Sequence, residues 1–149
     1  MDHSFEIVRI RLIESHFALN REYKWEKKKT IEFQNDLVIG YEVAENILDV
    51  VVTVSSDSED QPFRFSVSWG GSFSLKKMPP KNLLERFVHI NCAAIIYPFI
   101  RETVGDLTRR AGVPPLNLDP FNFVSFYEET KIPQRSKSKK RVERPRLRG

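Results

Sequence analysis

After Pro79-Pro80 the spacing of apolar residues changes, and that change limits the chain to few architectures. Before the prolines the period is two. Phe63, Phe65, Val67 and Trp69 alternate with polar residues, the pattern of a strand with one buried face. Gly70-Gly71 interrupts it, and Phe73 and Leu75 resume. An extended pattern also opens the chain at Phe5-Glu6-Ile7 and Ile10-Arg11-Leu12, where Val8 shifts the alternation and predicts a bulge. Ile31 and Phe33 begin a second strand, followed by a break at Asn35-Asp36 and then Leu37, Ile39, Tyr41 and Val43. The valine-rich run from Ile47 to Val54 predicts a third, closed by a turn over residues 55–60.

Beyond the prolines the period is helical. Leu83, Leu84 and Phe87 fit a short helix, and Cys92 to Arg110 a longer one that starts near Pro98 or kinks there. Gly112 is placed to close it, Pro114-Pro115 prevent its continuation, and Asn122 can cap a last helix carrying Phe123, Phe126 and Tyr127. Strands grouped before helices predict an α+β fold, a four-stranded antiparallel sheet with helices packed on one face.

The net charge of +4 hides a division. Residues 131–149 hold nine basic side chains against the single acid Glu143, a net +8, which leaves −4 on residues 1–130. The expected organisation is a folded domain over residues 1–130 and a basic tail over 131–149, too poor in apolar residues to fold alone and therefore disordered when free. Cys92 is the single cysteine, so no internal disulfide is possible. A reducing compartment, the cytoplasm, follows. No apolar run of the roughly 18 residues that cross a bilayer is evident. Met1-Asp2-His3-Ser4-Phe5-Glu6 has no basic start followed by an apolar core, so no secretory signal is expected.

Catalysis finds no footing. His3, His16 and His89 lack metal-site spacing, and Gly70-Gly71 is not followed by the residues of a nucleotide loop. Cys92 lies three residues from His89 in an apolar helical context, which suits a buried structural thiol better than a nucleophile. We expect no enzyme, no metal and no cofactor.

Four blocks carry a family resemblance: Phe5-Glu-Ile-Val-Arg-Ile10, Gly70-Gly-Ser-Phe-Ser74, Ile95-Ile-Tyr-Pro-Phe-Ile-Arg-Glu102 and Pro115-Leu-Asn-Leu-Asp-Pro-Phe-Asn-Phe123. In this order they resemble the SecB export chaperones over roughly residues 4–129. The resemblance implies an ATP-independent holdase that binds non-native preproteins, a homotetramer built as a dimer of dimers, and the motor SecA as a possible partner. A second branch of the family shields antitoxins in toxin–antitoxin systems.

The resemblance also assigns a client groove between the loop after the first strand, the second strand and the last helix. The corresponding residues are Tyr23, Trp25, Ile31, Phe33, Phe123, Phe126 and Tyr127. Trp25, set among charges, either reaches a client or caps the edge of its own core. Eleven Phe, four Tyr and two Trp are more than one small core easily hides. SecA docking in the family uses acidic groups on the outer sheet face. The matching positions are Glu14, Ala18 and Ser66, of which only Glu14 is acidic. The tail is a solvated extension, a contact for nucleic acid or an anionic surface, or a contact for acidic clients or the acidic body.

Overall fold

In the computed structural model, which describes residues 4–26, 30–130 and the strand 138–146, the chain forms one antiparallel sheet with helices on one face. The strands are β1 (Phe5–Leu19), β2 (Thr30–Ala44), β3 (Ile47–Ser56) and β4 (Phe63–Leu75). They lie side by side in the order β1-β4-β3-β2. Beyond β2, the tail segment β5 (Ser138–Arg146) pairs antiparallel with its outer edge. Residues 131–137 and 147–149, on which much of the expected tail disorder falls, lie outside the described residues.

Strand alternation builds the core. Leu48, Val50, Val52 and Val54 of β3 and Phe63, Phe65, Val67 and Phe73 of β4 point to the helical side and are all buried. Between them on the opposite face stand Asp49, Thr53, Ser68 and Ser72, joined by Thr53–Ser68 and Ser72–Asp49 side-chain hydrogen bonds. The expected bulge at Val8 is present as a register shift between Ile7 and Arg9, and a second shift falls between Leu12 and Glu14. Two expected interruptions are not breaks. Asn35 is buried within a continuous β2, and Gly70-Gly71 lie within β4. The glycines make room there. A Cβ at Gly71 would come within 2.9 Å of the Phe73 ring and 3.0 Å of Ile10 Cδ1.

The two expected helices are joined. α1 (Lys81–Arg86) passes through a π segment (Phe87–Cys92) into α2 (Ala93–Arg110), a continuous helical run of 30 residues. Pro98 lies inside α2, well after the start. No helix breaker separates Phe87 from Ala93, and a π turn re-phases the buried side so that Leu84, Val88, Cys92, Ile96, Ile100 and Val104 all face the sheet. By length and composition this run is apolar enough to cross a membrane, contrary to the expectation from sequence. Its inward residues are packed on the sheet, as in the core helix of a folded domain.

Its end forms a Schellman motif: Gly112, at φ +77°, donates to the Arg109 carbonyl and Val113 to that of Thr108. Side chains of α2 then clamp the proline-rich block that follows. Thr108 Oγ1 accepts from the Leu116 amide, Arg101 Nε donates to the Leu118 carbonyl, and Tyr97 donates to that of Asp119. Leu116 and Leu118 are thereby buried. α3 (Phe123–Thr130) follows, capped as expected: Asn122 Oδ1 accepts from the Ser125 amide at 3.0 Å.

Gly71→Val should destabilise the domain by about 1–3 kcal/mol through overpacking against the fully buried Phe73. Gly40→Ala, where a Cβ meets nothing within 4 Å, should change stability by less than about 0.5 kcal/mol. Urea unfolding of both variants measures this, and equal midpoints would contradict the packing described.

Candidate functional site

The loop after β1 is held firmly at its base. Asn20 donates its amide to the Pro62 carbonyl at 2.8 Å and its side-chain Nδ2 to the carbonyls of Glu59 and Gln61. Its Oδ1 accepts from the Glu22 amide, and its own carbonyl from the Tyr23 amide, which closes a turn. From this base Tyr23 and Trp25 project as an edge-to-face pair with ring centroids 5.2 Å apart. Both pack on the rim of the core and both stay partly exposed.

At α3, Phe121, Phe123 and Phe126 form an aromatic cluster with Tyr97, the Phe121–Phe123 centroids being 4.7 Å apart. Tyr127 lies over His89 at 5.6 Å, and an Arg86–Glu128 ion pair of 3.2 Å ties α3 to α1. Tyr41 of β2 donates to Glu85 Oε2 at 2.6 Å, and that bond with its carboxylate partner pushes the Tyr41 phenol up to about 12. The bond anchors the C-terminal part of β2 to α1.

The seven residues assigned to a client groove therefore divide. Tyr23, Trp25 and Tyr127 keep exposed area. Ile31, Phe33, Phe123 and Phe126 are buried in the single chain, between 1% and 8% exposed. The reason is alternation: Ile31 and Phe33 lie on the inward side of β2, where Phe33 stacks on Phe63 at 4.8 Å, and the α3 phenylalanines are its inward positions. As the chain stands they offer a guest no surface. Phe121 and Val124 also keep exposed area. Phe121 is half-exposed beside the buried cluster, and Val124 is 47% exposed on the outer side of α3.

A second apolar surface runs along β1. Ile7, Val8, Leu12 and Ile13 are 46–57% exposed; Ile7 and Leu12 stand opposite Phe73 and Trp69, and Ile13 lies over Gly70 on the other face. Beside this surface the Trp69 indole donates to Thr103 Oγ1 of α2 and stacks on Phe99 at 5.0 Å. Phe99 is itself 39% exposed.

Glu14 lies on the opposite sheet face, where His16 Nε2 donates to its Oε2 at 2.8 Å and both side chains are well exposed. Ser66 pairs with His16, and Ala18 with Arg64. The surroundings of this carboxylate are mixed rather than acidic. Among the described residues no three His, Cys, Asp or Glu side chains cluster as metal ligands would. Burial pushes the Cys92 thiol up to about 12, so it stays protonated and unreactive. Thiol labelling at neutral pH should therefore be negligible in the native protein and complete in denaturant. Rapid native labelling would contradict the buried placement.

Residues 2–134 match the family description of the preprotein translocase subunit SecB. The protein-export protein SecB of Methylobacillus flagellatus is 35% identical over 96 residues, which cover 62% of this chain and 60% of that protein. Its namesake from Nitrobacter winogradskyi is 39% identical over 90 residues, 58% of this chain and 56% of that protein. The chain thus spans about 60% of the length of the curated relatives it matches. Among solved structures, a Mycobacterium tuberculosis SecB-like chaperone in complex with a ChAD peptide from the HigA1 antitoxin superposes with a TM-score of 0.64. It is 19% identical, and the match covers 78% of this chain and 90% of that one, a likeness of fold.

Proposed function

The chain belongs to the SecB family, and we propose that it is an ATP-independent holdase that binds non-native polypeptides and keeps them unfolded for export or for delivery to a partner. The observation that carries this reading is the apolar surface the single chain leaves open, on β1 and around the Tyr23–Trp25 loop. Such surface is a liability on a monomer and a resource in an assembly that handles unfolded chains.

The two surfaces serve different partners in this reading. The row along β1, with Phe99 beside it, is covered by further copies of the chain, in a homotetramer arranged as a dimer of dimers. The rim formed by Tyr23, Trp25, Phe121 and Tyr127 stays open for the guest. Unfolded guests share no sequence but do share apolar side chains, each worth about 1.5–3 kcal/mol when fully buried. Several such rims on one assembly bind by avidity without demanding a motif. No bond is made or broken, so no catalytic group or cofactor is needed.

The guests are preproteins, or an antitoxin segment such as the one held by the mycobacterial neighbour. The cytoplasm is the compartment where such chains are met unfolded. A SecA-type partner would meet Glu14 with His16 beside it and Arg64 two register positions along, so docking there is expected to be weak. Nucleic-acid binding through residues 131–149 is the competing reading. It predicts a salt-sensitive complex without any holdase activity.

Stoichiometric assembled protein should suppress aggregation of a chemically unfolded test protein without nucleotide, and no suppression refutes the holdase reading. Trp25→Ala should weaken binding of a labelled unfolded peptide by roughly tenfold, the loss of an anchor side chain, with the assembly intact. Unchanged affinity removes Trp25 from the site. Leu12→Lys with Ile13→Lys should reduce the sedimenting mass. A variant assembly of unchanged mass would show that the β1 row is not a subunit contact.

A further inference from the structure

The ladder between β2 and β3 begins only at Asp36, opposite Ser55. Residues 30–34 of β2 overhang the end of β3, yet Ile31 and Phe33 in that overhang are buried. Backbone groups beside buried side chains require hydrogen-bond partners. The strand partner here is the tail: β5 runs antiparallel along β2 from Thr30 opposite Arg146 to Leu37 opposite Ser138. Among the described residues no other strand pairs with the overhang.

The composition of β5 suits an outermost, replaceable strand. Pro145 has no amide to donate, which a strand tolerates when its far side is unpaired. The β5 sequence holds Lys139, Lys140, Arg141, Arg144 and Arg146, the charged composition that in edge strands discourages further strand addition. Val142, opposite Phe33, is the one apolar residue of β5. By composition the strand offers backbone hydrogen bonds and charge but few apolar groups, which makes its hold weak. The charge favours closure. The tail carries +8 against −4 on the body, and the register sets Lys139 opposite Asp36. This attraction falls as salt rises.

We infer that residues 138–146 are a removable cover, supplied by the chain itself, for the open edge of β2, and that an extended guest gains that edge by displacing them. The cover stands on geometry alone; the guest rests on the holdase reading above. A cover closed in nine molecules of ten lowers apparent guest affinity roughly tenfold.

The test uses the full chain and two variants of it: Lys139→Glu with Lys140→Glu and Arg141→Glu, and separately Val142→Pro. Amide hydrogen exchange over residues 30–37 should be slow in the unaltered chain, faster at high salt and faster in both variants. Affinity for an uncharged, extended peptide should rise by up to roughly tenfold in both. Unchanged exchange over 30–37 overturns the cover. Faster exchange without a gain in affinity overturns the competition. If no form binds the peptide while the exchange differences hold, the holdase reading falls and the cover stands.

Discussion

One helix cannot roof four strands. A helix with its side chains is about 10 Å across, and neighbouring strands lie about 4.8 Å apart, so a single helix covers roughly two of them. In this chain the run from Lys81 to Arg110 lies over β3 and β4, and its inward residues meet Val50, Val52, Val67 and Phe73 there. The flanking strands need cover from elsewhere. On the β2 side Phe33 stacks on Phe63 of β4, and the Tyr41–Glu85 bond ties the strand to α1. On the β1 side Phe5, Ile10 and Phe17 pack against the core, while Ile7 and Leu12 stay about half-exposed although they share a face with it. The open surfaces follow from this shortage of roof.

Much of the fold was legible because its signals are local. The period-two run from Phe63 to Trp69, the change of period after Pro79-Pro80, the glycine that ends α2 and the asparagine that starts α3 each act within a few residues. What could not be read depends on distant partners. Nothing near Phe87 reveals a π join, because the reason for it is the phase of the buried side on the sheet. Asn35 looks like a break in sequence, yet strand geometry carries it inward.

The candidate site divides the same way. Alternation tells which residues share a face, but not what covers that face. Ile31, Phe33, Phe123 and Phe126 have the character of client-binding side chains, and the fold uses them as core. Tyr23 and Trp25 have charged neighbours, sit in a loop pinned by Asn20, and remain at the surface. The pairing of β5 has no pattern of its own, because its register comes from the edge it meets.

The claim on which the rest depends is that a guest lies on the exposed aromatics of the Tyr23–Trp25 loop and of the α3 region. Photo-crosslinking from an unfolded peptide carrying a benzophenone side chain, with the adducts mapped by mass spectrometry, tests it most directly. The account predicts adducts at residues 20–26 and 121–127. Adducts gathered instead on the opposite sheet face around Glu14 and Ser66, with both of those stretches unlabelled, would contradict it.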